Sequence, residues 1–419
     1  MRRLLLMLSA VALALTAVVT GATAASAADE NIGGVIRNGT DPVPGVTLNV
    51  SNGAGFDENA ITDEQGKWRV DVPKAGTYTV TLQTDTLPAG VTLTNPDRVS
   101  ADVVVESGQT KSVLFPTGAA RVSTETSTDR AMQLLVDGLI FGLTIALAAV
   151  GLSLIFGTTG LTNFSHGELV TFGALIAYFF NNLLGLPFIL AAAGAVLAGA
   201  AFGYLQDRFF WRWLRKRGTG LIAMLVVSIG LGILLRYIYL FFFGGTTQQF
   251  AYGNGQAGLA IGPVDVTPKA LMGAAVAIVV LVATVLWLRL TRMGKASRAI
   301  ADNTALAAAS GIDVNRVISI IWAAGAGLAA LAGVIYSLSN GINWQEGFQL
   351  LLLIFAGVTL GGLGTAVGAI VGSIIVGTMI QVSTLFIPSE LKNVGALAVL
   401  IVILMIRPQG IMGRSERVG

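Results

Sequence analysis

The sequence predicts a mainly α-helical polytopic membrane protein of about eight or nine transmembrane helices, preceded by a small all-β sandwich domain. The mean hydropathy of the chain is +0.75. Charged residues make up 12% of the 419 residues, well below the roughly one quarter that is typical of soluble domains. Apolar residues are concentrated in a short N-terminal run and in the chain after Ala131, whereas the residues between these two regions are polar. A change of composition on this scale indicates a domain boundary.

Cysteine and histidine usage excludes most metal and redox chemistry. The chain has no cysteine and one histidine, so disulfides, iron–sulfur clusters, zinc–thiolate sites and multi-histidine metal sites are ruled out. We therefore expect no metal and no resident cofactor. The formal net charge of +3 comes from basic residues in short gaps between apolar runs, which is a topology signal and does not point to nucleic acid.

The first element, residues 1–27, has the three parts of a secretory signal peptide. Arg2 and Arg3 form the positive region, residues 4–19 form the apolar core, and Ala25-Ser26-Ala27 forms the cleavage site. The alternative is an uncleaved first transmembrane helix. The shortness of the run and the small-residue close before a polar continuation favour cleavage, so we expect the polar domain that follows to be exported.

Residues 31–116 alternate between apolar and polar positions and contain Gly- and Asn-rich turns, as in a β-sandwich. We predict that Trp68, Val70 and Val72 share the core face of one strand. Residues 33–78 are similar to the carboxypeptidase regulatory-like β-sandwich, which implies a docking or spacer role without catalytic residues. A Ser/Thr-rich linker is predicted at 117–130. The predicted strands are 34–36, 46–50, 68–72, 77–82, 99–105 and 111–115.

A transmembrane domain is predicted at 131–413, with a short tail at 414–419. A full span needs about 20 apolar residues, so the second, seventh and ninth apolar runs are short and suggest half-helices. The predicted spans are 132–156, 166–182, 186–206, 219–243, 269–290, 317–338, 350–362, 365–387 and 391–406.

Basic residues occur in alternate gaps between these spans, which sets the orientation. The gaps at 244–268, 339–349 and 388–390 contain no Lys or Arg. We therefore expect a plasma-membrane protein whose β domain is outside and whose C-terminus is cytoplasmic. The basic gaps and the tail contain Arg208, Arg212, Arg215, Lys216, Arg217, Arg292, Lys295, Arg298, Arg316, Arg407, Arg414 and Arg417.

Two rows of small residues at four-residue spacing predict close contacts between helices. The first row is Gly325, Ala329 and Gly333, and the second is Gly364, Gly368 and Gly372.

The most informative stretch between two spans is residues 157–168, which contains the only histidine of the chain. Asn163, His166 and Glu168 are either a capped helix start at the cytoplasmic interface or a broken-helix segment beside a translocation path. Proton coupling through His166 and Glu168 is a further alternative. Arg236, inside the fourth span, either snorkels to the exterior interface or attracts a substrate carboxylate.

The helical half of the chain contains the motifs Asn163-Phe164-Ser165-His166-Gly167-Glu168, Gly294-Lys295-Ala296-Ser297-Arg298-Ala299, Ala307-Ala308, Gly311-Ile312, Gly361-Gly362-Leu363-Gly364 and Arg407-Pro408-Gln409-Gly410. Together these motifs resemble the LivH-type permeases, the membrane subunits of branched-chain amino-acid ABC importers. The resemblance covers about residues 132–413. It implies no enzymatic activity in this chain, a second permease subunit of the same family, two ATP-binding subunits that use the ATP, and an extracytoplasmic solute-binding protein. The exported β domain departs from the usual short N-terminus of this family.

The gap at 291–316 is predicted to couple the chain to an ATPase partner. Gly294 permits a turn, residues 295–310 favour a helix, and Gly311 can end it. Arg298 lies on the flank of this helix, and Ala307 and Ala308 give it a small-residue face. No G-x-x-x-x-G-K-[ST] sequence occurs, so this chain has no P-loop of its own.

Three alternatives to a branched-chain amino-acid permease remain at this point. Urea and short-amide ABC permeases share the same motifs. An ion-coupled secondary transporter using Glu168 and His166 belongs to a different class and would work without an ATPase. A membrane-anchored receptor would need neither so many spans nor a coupling element.

Overall fold

The structure is a computed structural model, and it describes residues 30–387 except 39–40, 54, 75, 94–98, 106–109, 114, 116, 118–126 and 251–257. It also describes residues 394, 397–398, 401, 405 and 410–412. The chain divides into two units, Met1–Ser123 and Thr124–Gly419. The predicted signal peptide, most of the predicted linker, most of the ninth span and the tail lie outside the described residues.

The first unit consists of two main sheets that enclose one core. A three-stranded sheet has the order β6-β1-β9, and a four-stranded sheet has the order β5-β4-β7-β8. β2 and β3 form a separate short ribbon. β1 pairs with β6 antiparallel and with β9 in parallel, with Asn31 opposite Thr110. The strands are β1 Asn31–Val35, β2 Arg37–Asn38, β3 Asp41–Pro42, β4 Thr47–Ser51, β5 Asp57–Ile61, β6 Lys67–Asp71, β7 Gly76–Leu82, β8 Ser100–Val105 and β9 Thr110–Ser112.

Alternating side chains from both sheets form this core. Trp68, Val70 and Val72 are all buried, which confirms the predicted inward face. They share one cluster with Leu48 and Val80 of the other sheet. The strand β5 was not predicted, because four of the five residues in Asp-Glu-Asn-Ala-Ile are exposed and its side chains carry almost no apolar signal.

The second unit is helical, which confirms the predicted fold class but not the predicted count of eight or nine transmembrane helices. Six of the described helices are long and apolar enough to cross a membrane. The helices are α1 Ser127–Thr159, α2 His166–Tyr178, α3 Phe188–Gln206, α4 Arg212–Lys216, α5 Leu221–Phe243, α6 Pro268–Leu290, α7 Arg292–Asp302, α8 Thr304–Ala309, α9 Val314–Asn340, α10 Glu346–Gly361 and α11 Ala366–Ser383. A short hairpin, β10 Leu259–Ile261 with β11 Val264–Val266, precedes α6.

π-helical turns follow α2 and α3, and at the second of them the predicted helix end is wrong. α2 is a 13-residue helix with a π-helical turn, Phe179–Leu183, after it. The predicted loop at 207–218 is wrong for most of its length, because α3 continues through a π-helical turn and α4 as one span, Phe188–Lys216.

Within that π-helical turn, Asp207 is fully buried. It accepts hydrogen bonds from Arg215 at 2.7 Å and Ser319 at 2.6 Å, which offset the cost of burying the carboxylate.

Small residues bring the long helices into contact. A Cβ atom on Gly325 would lie 2.8 Å from the Gly151 carbonyl oxygen of α1, and one on Gly333 would lie 2.0 Å from that of Val170 in α2. Ala329, between them, is fully buried. Because the first row meets two different helices, α9 lies at the centre of the helical unit.

The second small-residue row packs α11 on α10, with one correction. A Cβ atom on Gly368 would lie 2.4 Å from the Gly361 carbonyl oxygen, and one on Gly372 would lie 2.1 Å from that of Gly357. Gly364 is not part of a helix face. It precedes α11 in the left-handed region, with φ of +78°, so the predicted three-member row has two helical members.

Candidate functional site

The polar segment between α1 and α2 lies along α5. Gly160 lies beside Leu221, the first residue of α5. Farther along both segments, the Phe164 backbone N–H donates to Ser228 Oγ at 3.0 Å. This stretch is therefore held by side chains of a helix that begins more than fifty residues later in the chain.

Asn163 shapes the entry into α2 but does not cap it. Its Oδ1 accepts hydrogen bonds from Ser165 N at 3.1 Å and Ser165 Oγ at 2.7 Å. The residue at the cap position is Ser165, whose side chain makes no capping bond to α2. The prediction of Asn163 as the helix cap is thus wrong by two residues, because the amide closes a local turn that precedes the helix.

Glu168 and Arg236 form an ion pair in the interior. Arg236 Nε and Nη2 donate to Glu168 Oε1 at 3.2 Å and 3.1 Å. The Arg236 side chain is 17% exposed, and the Glu168 side chain is 2% exposed. The guanidinium carbon also lies 3.8 Å from the ring centroid of Phe348. Tyr239 completes the cluster by donating to the Glu168 backbone oxygen at 3.0 Å. Neither predicted alternative for Arg236 included this partner, 68 residues away.

His166 is fully buried at the first position of α2. Its Nε2 lies 2.9 Å from the carbonyl oxygen of Ala148 in α1. Because a carbonyl only accepts, Nε2 is the nitrogen that carries the proton. Nδ1 has no hydrogen-bond partner among the described residues. The structure therefore brings Asn163, His166, Glu168 and Arg236 together around one helix start.

A second helix start repeats this geometry and was missed from the sequence. Asn343 Oδ1 accepts from Gln345 N at 2.9 Å, as Asn163 Oδ1 does from Ser165 N. Three residues after each asparagine a buried polar side chain opens a short helix, His166 in α2 and Glu346 in α10. The shared spacing Asn-x-x-x-Gly, at 163–167 and 343–347, is the signal that an internal-repeat search would have used.

The two helix starts touch each other. A Cβ on Gly347 would lie 1.9 Å from the Gly167 carbonyl oxygen, and one on Gly167 would lie 2.3 Å from that of Gly347. Thr171 Oγ1 accepts from Gly347 N at 3.0 Å. Beside this crossing, Ser337 donates to Glu346 Oε2 at 2.8 Å. α2 and α10 therefore begin at one backbone contact flanked by two buried carboxylates.

The residues predicted to couple to a partner form two helices instead of one. Gly294 lies inside α7 and makes no turn. Its hydrogen atom faces α6, since a Cβ there would lie 2.0 Å from the Leu288 carbonyl oxygen. Arg298 donates to the same oxygen. α7 ends at Asn303, which accepts from Leu306 N at 2.9 Å and caps α8.

Only part of the predicted alanine face is at the surface. Ala307 is buried, whereas Ala308 is exposed and Leu306 is 64% exposed. Gly311 has a φ of +83° and follows the end of α8.

Two further motifs meet at the end of α10. The backbone N–H groups of Ile411 and Met412 donate to Leu360 and Gly361 carbonyls at 2.7 Å and 3.0 Å. These residues directly follow Gly410, whose φ of +74° turns the chain. The Gly-Gly-Leu-Gly motif and Gly410, the last residue of the closing motif, thus meet at one helix end.

Residues 134–405 match the family described as branched-chain amino acid transport system / permease component. The chain belongs to this permease family. The resemblance inferred from the motifs is therefore confirmed, as is the prediction of a transport subunit with no enzymatic activity. The β domain lies outside the matched residues.

Three relatives show how far the similarity of this permease extends. It is 32% identical over 298 residues to the high-affinity branched-chain amino acid transport system permease protein LivH of Salmonella typhimurium, covering 68% of this chain and 96% of LivH. It is 30% identical over 302 residues to BraD of Pseudomonas aeruginosa, with 68% and 96% covered. The ribose import permease protein RbsC of Escherichia coli is 29% identical over 246 residues, with 55% and 72% covered.

Proposed function

We propose that this permease forms the translocation path for branched-chain or related amino acids in an ABC importer. The observation that carries the proposal is the alignment with LivH and BraD over 96% of their lengths. Both relatives carry branched-chain amino acid transport in their names. The similarity to a ribose permease shows that related chains serve other solutes, so the substrate requires a direct test.

Energy comes, in this proposal, from separate subunits. The chain has no P-loop sequence, and α7 and α8 present an exposed element for an ATPase partner, with Leu306 as its most exposed apolar side chain. Two ATP-binding subunits, a second permease and an extracytoplasmic solute-binding protein complete the assembly. The C-terminus is cytoplasmic and the β domain is outside, as the basic loops favour.

Asn163, His166, Glu168 and Arg236 serve in this proposal to fix the helix start that borders the path. The pairing of Glu168 with Arg236 supports a structural role for both side chains, because a buried charge needs a partner. His166 is fully buried against Ala148, which leaves it no direct exchange with water.

Reconstitution into proteoliposomes tests the proposal. The full chain with its second permease, ATPases and binding protein is expected to take up radiolabelled leucine only when ATP is present inside. Uptake should continue when an ionophore removes the proton gradient. Uptake by the chain alone under a proton gradient would establish the ion-coupled alternative, and uptake of urea in preference to leucine would establish the amide alternative.

The coupling element makes a separate prediction. Arg298→Glu is expected to weaken ATPase association about tenfold, because it removes a charge-assisted bond to Leu288 that holds α7 on α6. Co-purification at increasing ATPase concentration measures the effect. Lys295→Glu, an equal charge reversal at an exposed position of the same helix, is the control. An equal loss in both variants would assign the effect to surface charge and contradict the positioning role of Arg298.

Gly294→Val tests the same element through its backbone. The side chain of the introduced valine would overlap the Leu288 carbonyl oxygen, so α7 must move away from α6. We expect loss of ATP-dependent leucine uptake while the chain is still inserted in the membrane. Unchanged association and uptake would show that this element does not couple the subunits.

A further inference from the structure

A cavity separate from the Glu168–Arg236 pair lies among α1, α6, α9, α10 and α11. Its volume is about 350 Å³, within the roughly 300–1,000 Å³ of small-molecule sites. Asp137, near the start of α1, and Asn340, the last residue of α9, both line it. In the proposed orientation both helix ends face outside, so the cavity is on the extracytoplasmic side.

Part of the cavity lining is apolar. Ile140 and Phe141 of α1 and Leu350 and Leu353 of α10 belong to it. Leu350 and Leu353 are almost completely buried. The Phe141 ring lies 6.3 Å from that of Tyr336, which closes the wall between α1 and α9. This surface suits an aliphatic side chain of a few carbons.

One turn before Phe141 on the same face of α1, Asp137 gives the lining a carboxylate that is held in place. Gln133 Nε2 donates to both Asp137 carboxylate oxygens at 3.0 Å and 3.1 Å. The same side chain accepts from Asp265 N at 2.7 Å and donates to Asp265 O at 3.0 Å. Gln133 thus fixes the Asp137 carboxylate and ties the β10–β11 hairpin to α1.

The charge of the lining favours a positive group. Asp137 and Asp265 both line the cavity, and its lining includes no Lys, Arg or His among the described residues. The side-chain amides of Gln349 and Gln381 also line it, and neither makes a hydrogen bond within the described part of the chain. The NH₂ groups of these two amides can therefore donate to the carboxylate of a ligand that also carries a positive group.

We propose that this cavity binds a zwitterionic aliphatic amino acid on its way through the permease. Asp137 receives the α-ammonium group, and the amides of Gln349 and Gln381 receive the carboxylate. The side chain packs on Phe141 and Leu353. The inference rests on the proposed function and gives it a substrate site that lies apart from the polar residues named from the sequence.

Photolabelling of the assembled transporter in nanodiscs tests this site. A diazirine analogue of leucine is expected to label peptides that contain residues 140–144 or 350–353. Asp137→Asn should lower the labelling about tenfold, the size expected for loss of one charge-assisted hydrogen bond. Gln349→Leu, an exposed position whose replacement leaves the fold intact, should lower it several-fold. Asp129→Asn, the same change eight residues earlier on α1 and outside the cavity, should leave it unchanged.

Competition defines the chemistry that is recognised. Excess L-leucine should suppress labelling, whereas 4-methylpentanoate, which lacks the ammonium group, should not. Labelling elsewhere, or labelling that survives both variants, would overturn the cavity site. Leucine uptake by wild-type proteoliposomes distinguishes failure of the cavity site from failure of the proposed function. Uptake without cavity labelling rejects only the site. Absence of both uptake and labelling rejects the proposed substrate as well.

Discussion

Replacing Glu168 with leucine is expected to destabilise the helical unit by about 3–5 kcal/mol, the range for a buried ion pair that loses one partner. The change leaves the Arg236 guanidinium, 17% exposed, without its counter-charge in apolar surroundings. Equilibrium unfolding of the full chain in mixed micelles measures the loss. We expect a value near the lower end of the range, because Phe348 still covers the guanidinium on one face.

The double variant Glu168→Leu with Arg236→Met separates stability from transport. Replacement of both charges by apolar side chains should recover most of the lost stability, since no unpaired charge remains buried. If this variant is stable but does not take up leucine, the pair acts in the transport cycle. If the double variant is as unstable as the single one, the pair is not the source of the effect.

Gly347→Ala is expected to be among the most damaging single-methyl changes in the helical unit. Its Cβ would lie 1.9 Å from the Gly167 carbonyl oxygen and 2.5 Å from Thr171 Oγ1. Backbone at such a distance cannot yield as a side chain does, so we expect a loss of more than about 3 kcal/mol, beyond the usual range for overpacking. Size-exclusion profiles and unfolding midpoints of the detergent-solubilised chain measure it.

Gly230→Ala provides the matched control. Gly230 is also helical, in α5, and a Cβ there meets nothing within 4 Å. Alanine favours a helix over glycine by about 1 kcal/mol, so this variant should be equal to or more stable than the wild type. Equal behaviour of Gly347→Ala and Gly230→Ala would contradict the close crossing of α2 and α10.

Local patterns in the sequence predicted much of the fold. The inward face of β6 follows from strict alternation around Trp68 and Val70, and the long spans follow from apolar runs. The shortness of α2 could also be predicted, because polar residues interrupt the run before His166. Each of these features depends on neighbours within a few residues.

The parts that could not be predicted depend on contacts distant in sequence. Glu168 meets Arg236 only because residues 160–168 lie along α5, and Asp207 meets Ser319 112 residues later. The buried Asp207 also explains why a charged stretch stays helical where a loop was predicted. Glu346 was overlooked because a single carboxylate in a polar gap of the sequence resembles an ordinary solvated residue. In the structure it is enclosed by Ser337 and by the Gly167–Gly347 contact.

The parallel pairing of β1 with β9 has a mechanical consequence for the β domain. Asn31 lies opposite Thr110, and the pairing continues through Val113 N to Gly33 O and on to Thr117 beside Asn38. The chain therefore enters the domain at one end of this ribbon and leaves it at the other. A pull between the two ends loads the β1–β9 hydrogen bonds in shear, so that they must break together and not one after another.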